Sequence, residues 1–172
     1  MFGYLAYSLV VHVARGRAPS GSEVGILVVA TQLPDIVDKP LAWTFHILPS
    51  GRSLAHSTLT ATIGITLVAI YCRRTGREGA LAFGVGYISH LVGDIYRPVM
   101  TGEYADIAFV LWPVLPVAPD TEPSFVAHFE AVLSTGITVT GLVLTVIAVL
   151  MWITDGRPGL SKSANKILRF GR

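Results

Sequence analysis

Five side chains of metal-ligand type fall in three short stretches of the sequence: Asp35, Asp38, His56, His90 and Asp94. His90 and Asp94 are four residues apart, so on a helix both lie on one face. Asp35 directly follows Pro34, which ends or kinks a helix, and Asp38 comes three residues later. His56 lies in the first turn of the next apolar segment. A mixed Asp and His set suits Zn, Mn or Fe, and five candidates exceed the three that an open zinc site needs. The sequence therefore predicts one or two bound divalent ions.

Such a site can activate water against a phosphoester, as the metal sites of phosphatases and nucleases do. Arg52 precedes His56 by four residues and is the candidate for gripping a phosphate, because a planar guanidinium binds phosphate through two parallel hydrogen bonds. Ser57 follows the histidine directly and is the second candidate catalytic residue. The predicted chemistry is metal-dependent hydrolysis.

Each of these residues also has a structural interpretation. Asp35 suits a turn after a proline, and Asp38 suits an ion pair with Lys39 or Arg52. His56 with its neighbouring serines is typical of a helix-start cap, and His90 suits a hydrogen bond between helices. A non-catalytic membrane protein with a structural or metal-binding cluster is the alternative hypothesis. A transporter is a weaker one, because the apolar segments offer few polar groups along their depth.

The elements that must position these residues are strongly apolar. The chain has 172 residues, of which 52% are hydrophobic and 14% charged, with a mean hydropathy of +0.60. The uncharged run at 131–153 is long enough to span a bilayer, and 54–72 and 79–95 are predicted to do the same. Two shorter segments, 1–14 and 24–33, are predicted to form a helical hairpin. The sequence thus predicts an all-α, multi-pass membrane bundle of about five helical segments.

The distribution of charge predicts an orientation. If the segments are threaded in order, most of the 13 Lys and Arg residues gather on one face, which the positive-inside rule makes cytoplasmic. The metal-ligand candidates then lie on the external face of the plasma membrane. We predict a membrane-embedded domain over residues 1–156 and a basic cytoplasmic tail over residues 157–172. The expected partners are membrane lipids and a lipid or phosphoester substrate, and not nucleic acid, since the pI near 8.9 reflects topology.

At these residues the sequence resembles the YdjM-type membrane-bound metal-dependent hydrolases, in an archaeal-type form. The matching stretches are LPDIVDKP at 33–40, GRSLAHS at 51–57, HLVGD at 90–94 and LWP at 111–113. The resemblance implies a helical membrane protein distantly similar to zinc-dependent phospholipase C-like enzymes. By position it implies five metal ligands: Asp35, Asp38, His56, His90 and Asp94. Many relatives have His-Arg where this chain has Gly51-Arg52, so one possible ligand of the family is absent here.

Overall fold

The described part of the computed structural model covers residues 2–120, 124–135 and 138–160, and it folds into six α-helices without a β-strand. Their bounds are α1 (Phe2–Arg15), α2 (Gly21–Lys39), α3 (Thr58–Thr75), α4 (Ala80–Thr101), α5 (Phe125–Thr135) and α6 (Val139–Thr154). A π-helical turn, Pro40–Thr44, continues α2, and a 3-10 helix, Tyr104–Leu111, follows α4. The predicted all-α class is confirmed.

Helices α2 and α4 pack directly against each other at the centre of the bundle. Their backbones come closest at Gly86, where a methyl group would lie 2.8 Å from the carbonyl oxygen of Leu27 and 2.9 Å from Cβ of Ala30. Helices α1 and α3 also pack on α4, and the contacts bury two apolar clusters: Tyr7, Val11, Leu27 and Ala82, and then Ala61, Tyr87 and Leu91. The spacing between α2 and α4 sets the distances within the polar cluster near their C-terminal ends.

We predict that Gly86→Ala destabilises the protein, although alanine is the better helix former by about 1 kcal/mol. The added methyl group meets a backbone carbonyl that cannot rotate away, so the two helices must separate at a net loss of roughly 1–3 kcal/mol. Gly93→Ala is the matched control, since it lies on the same helix with nothing within 4 Å of the added carbon. Thermal unfolding in detergent should show a lower Tm for the first variant and an unchanged or higher Tm for the second. Equal behaviour of the two would contradict this packing.

Helix α2 extends further than its sequence predicts. Ser20 caps its start, because the serine hydroxyl accepts from the N–H of Glu23 while the Glu23 carboxylate accepts from the N–H of Ser20. The prediction of a segment over 24–33 is too short, since the helix continues through the buried Pro34 to Lys39. The last turn is held by tertiary contacts of Asp38, which local propensity does not report.

Helix α3 begins four residues later than the predicted segment at 54–72. The N–H groups just before it are bound by Asp38, and the Ser57 hydroxyl caps the helix by accepting from the N–H of Leu59. His56 therefore lies before the helix and not in its first turn. The segment predicted over 79–95 is present, and α4 continues six residues beyond it to Thr101.

The predicted continuous helix over residues 131–153 is divided in two. Helix α5 ends at Thr135, and α6 begins at Val139 after Thr138, whose extended backbone and hydroxyl cap the new helix through the N–H of Gly141. Within the described ranges, no helix has both the length and the apolar character that crossing a bilayer requires. Most of the predicted basic tail, residues 161–172, lies outside the described residues.

Candidate metal centre

One buried carboxylate fixes both the backbone and the ring of His56. Asp38, which is fully buried on α2, accepts hydrogen bonds of 2.8–3.2 Å from three backbone N–H groups, those of Ser53, Ala55 and His56. The same carboxylate lies 2.8 Å from Nδ1 of His56. A carboxylate can only accept, so Nδ1–H donates to it and Nε2 points away from Asp38. From the other side, the Tyr87 hydroxyl donates to the carbonyl of Ala55 at 2.5 Å.

Three ligand-type atoms meet at Nε2 of His56. This nitrogen lies 3.1 Å from Nε2 of His90 and 3.5 Å from Oδ1 of Asp35, and the latter two atoms are 3.8 Å apart. Asp35, His56 and His90 form a trio that joins the last turns of α2, the segment before α3 and the middle of α4. These three side chains are close enough to hold one metal ion.

The separations within the trio fit a small divalent cation. Ligand atoms about 2.0–2.1 Å from a tetrahedral zinc stand about 3.3–3.4 Å from each other. The observed separations of 3.1, 3.5 and 3.8 Å lie on both sides of that value. Two imidazole nitrogens that face each other at 3.1 Å must also share either the hydrogen of an N–H group or a metal ion. A donor set of two imidazoles and a carboxylate suits Zn, Mn or Fe.

Asp94 lies against both imidazoles of the trio. Its Oδ2 atom is 3.3 Å from Nε2 of His56 and 3.4 Å from Nε2 of His90. The prediction that His90 and Asp94 share one helix face is confirmed by this contact. Oδ2 is buried and makes no well-aligned hydrogen bond within the described chain. Leaving such an oxygen unsatisfied costs about 1–3 kcal/mol, so it is the atom with most to gain from a bound cation.

The trio is electrostatically organised around one positive charge. Burial alone would lower the pKa of His56, but contacts with the three aspartates outweigh it and raise the pKa to about 10. A metal ion that binds at Nε2 therefore competes with a proton there. Oδ2 of Asp35 is bound by Lys39 Nζ at 2.9 Å, which leaves Oδ1 facing the imidazoles.

The other sequence-predicted residues lie around this trio. Asp38, a predicted ligand, is behind His56 with its oxygens engaged by four donors. Ser57, a predicted catalytic residue, is buried, and its hydroxyl serves the cap of α3. Arg52 is exposed, and its charge stabilises the carboxylate of Asp94. Among the described residues its guanidinium makes no hydrogen bond or ion pair.

A cavity of about 200 Å³ shares one residue, Phe109, with the surroundings of the trio, and none of the three trio residues lines it. Its lining includes Arg52 and Ser50 from the segment before α3, and Phe109 from the 3-10 helix. Phe109 is buried and packs edge-on against the His56 ring, with the ring centroids 6.0 Å apart. This phenylalanine therefore belongs both to the cavity wall and to the cover of the trio.

Two supporting residues escaped sequence reasoning as parts of the site. Lys39 bridges Asp35 and Nε2 of His128 on α5, the latter at 3.2 Å. Its spacing of four residues from Asp35 would predict the ion pair if α2 were extended past the proline. Phe109 has no local signal, because only the tertiary fold brings it onto His56.

These features define an all-α protein with a cluster of Asp and His residues that can hold a divalent metal ion. The family model for the YdjM inner membrane protein matches residues 1–159, and the chain belongs to this family. The resemblance expected from the motifs is confirmed, and it associates the chain with a family of membrane proteins. No curated protein and no solved structure shows significant similarity to the chain.

Proposed function

We propose that this chain is a membrane-bound, metal-dependent hydrolase of phosphoesters, acting on lipid or lipid-linked substrates at the external membrane interface. The observation that supports it best is the convergence of Asp35, His56 and His90 within 3.8 Å. Arg52, whose guanidinium has no hydrogen-bond or ion-pair partner among the described residues, lines the nearby cavity and adds a natural partner for a phosphate.

The membrane part of the proposal is supported by the family and by the surface. Large apolar side chains are exposed along several helices, among them Leu9, Val13, Val28, Leu67 and Leu150. An apolar surface of this extent favours contact with lipid. At the start of α2, far from the trio, the buried Glu23 is paired with Arg15 and Arg17. A basic loop at the end opposite the site agrees with an external site under the positive-inside rule.

We assign one metal ion to Asp35, His56 and His90, which leaves a coordination position for water or a phosphoryl oxygen, with the Asp94 carboxylate beside the two imidazoles. When bound, a divalent ion supplies Lewis acidity that polarises a phosphoryl oxygen and lowers the pKa of water. Asp38 holds His56 with Nε2 directed at the site, a role that carboxylates commonly have behind metal-binding histidines.

The remaining side chains bind the phosphate, orient a ligand or exclude water. Arg52 binds the phosphate from the cavity side, where its guanidinium is free of protein partners among the described residues. Lys39 fixes one oxygen of Asp35 and so orients the other. Phe109 keeps water from the face of His56 that it covers.

The second candidate function is a non-catalytic cluster that ties the helices together. It is favoured by one observation: the four donors on Asp38 come from the segment before α3, so this carboxylate joins α2 to that segment. Such a cluster predicts loss of stability on mutation with no activity to lose.

The test is hydrolysis of bis-p-nitrophenyl phosphate and p-nitrophenyl phosphate by the detergent-purified protein loaded with Zn or Mn. We expect metal-dependent turnover, with kcat/KM lowered roughly 10- to 100-fold in Arg52→Ala, because the phosphate loses its charged partner. The metal content of this variant should equal that of the wild type. Arg97→Ala is the control, since Arg97 is also exposed but does not line the cavity. Stoichiometric metal without turnover on either ester would favour the structural cluster instead.

A further inference from the structure

Charged side chains from two elements line the cavity that shares Phe109 with the surroundings of the trio. Arg52 lines one part of it, and Asp106, from the 3-10 helix Tyr104–Leu111, lines another. In the described chain neither side chain makes a hydrogen bond or an ion pair, and the two do not pair with each other. Among the described residues of the lining, one cation and one anion thus have no hydrogen-bond or ion-pair partner, and such a cavity is complementary to a ligand that has both charges.

The third charged residue of the cavity is already engaged. Asp120 accepts hydrogen bonds from Nε1 of Trp43, the hydroxyl of Ser50 and the N–H of Gly51, at 2.6, 2.7 and 2.6 Å. These three donors satisfy its carboxylate and fix the segment that leads to Arg52. Among the described residues that line this cavity, Asp106 is therefore the carboxylate that remains available to a ligand.

We propose that the cavity binds a zwitterionic aminoalkyl phosphate headgroup, with the phosphate at Arg52 and a primary ammonium at Asp106. This assignment rests on the proposed function, because it names the substrate class of the same site. Phe109 is shared by the cavity and the cover of His56, so a headgroup bound there lies next to the trio.

The lining favours a primary ammonium over a quaternary one. A carboxylate recognises a primary ammonium through charge-assisted N–H hydrogen bonds, which a trimethylammonium cannot donate. Quaternary ammonium groups are bound by cages of several aromatic faces. Phe109 is the one aromatic residue among the described residues that line this cavity. Its available volume of about 200 Å³ also suits a compact headgroup.

The experiment is isothermal titration of the metal-loaded protein in detergent with phosphonates, whose carbon–phosphorus bond is not hydrolysed. The probes are 2-aminoethylphosphonate, its N-trimethyl analogue and ethylphosphonate. We expect the first to bind at least about tenfold more tightly than the other two, since it alone offers N–H donors to Asp106. Asp106→Asn should remove this preference while ethylphosphonate binds as before. Glu103→Gln is the matched control, an exposed acid that bonds to Thr101 and does not line the cavity.

Equal binding of the three phosphonates to the wild type would overturn the assignment, and so would an unchanged preference in Asp106→Asn. Hydrolysis assays separate the two possible sources of the headgroup. Hydrolysis of phosphatidylethanolamine in nanodiscs identifies a lipid as the source of the headgroup. Hydrolysis of soluble O-phosphoethanolamine alone identifies a free ester as the source. Failure of the hydrolase proposal has a different signature: the aminoethylphosphonate preference persists while neither substrate is cleaved.

Discussion

Asp38→Ala is expected to cause the largest loss of stability of any single substitution in the site. The carboxylate is fully buried and accepts from three backbone N–H groups and from the His56 ring. Alanine leaves all four donors without a partner in a space that water does not reach. We expect a loss of about 3–5 kcal/mol, because breaking a buried charged network strands its remaining members. For a chain of this size that is a fall in Tm of roughly 6–20 °C.

Asp38→Asn tests the same account if the alanine variant fails to fold. Asparagine keeps the shape and one acceptor, but its amide NH2 opposes a donor and disfavours the His56 tautomer with Nδ1 protonated. Metal affinity should fall roughly 10- to 100-fold, as it does when such orienting partners are lost. Glu130→Ala removes an exposed carboxylate and should change Tm by less than about 2 °C. An Asp38→Ala protein that melts with the wild type would refute the role given to this carboxylate.

The sequence was sufficient to predict the helical class and much of the site. His90 and Asp94 have helical spacing, and the apolar segments around them indicate how the helices run, so their shared face follows from local periodicity. The meeting of His56 with His90 was inferred from their common depth in the predicted bundle. That inference requires only the order of the segments and their approximate ends.

The different roles of Asp35 and Asp38 could not be predicted in the same way. Asp35 and Asp38 are three residues apart on α2, and nothing in the local sequence distinguishes one from the other as a metal ligand. They differ because Asp38 is enclosed by the backbone N–H groups before α3, whereas Asp35 faces the imidazoles and Lys39. That difference arises from the tertiary path of residues 50–57, which has no periodic signal.

The predicted helix boundaries are wrong where tertiary contacts override local helix propensity. Pro34 predicts a break, yet the contacts of Asp38 retain the following turn of α2. The uncharged run at 131–153 predicts one long helix, yet Thr138 begins a new one by capping α6. Hydropathy reports the average character of a segment, while a single capping hydroxyl decides where a helix starts.

The second large effect concerns the metal itself. His56 and His90 supply the two nitrogen donors of the trio, so His56→Gln, His90→Gln removes both and leaves carboxylates that bind Zn, Mn or Fe weakly. His12→Gln, His46→Gln is the matched double variant. His12 pairs with Asp155, away from the trio, and His46 is exposed. Both variants remove two histidines, so any difference in their metal content measures the metal bound by the trio.

Elemental analysis of the detergent-purified protein, before and after reconstitution with Zn, Mn or Fe, tests the central claim most directly. The account predicts about one ion per chain in the wild type and in His12→Gln, His46→Gln, and less than about a tenth of that in His56→Gln, His90→Gln. A folded wild type that takes up no metal on reconstitution, or a trio variant that keeps the full amount, would contradict it.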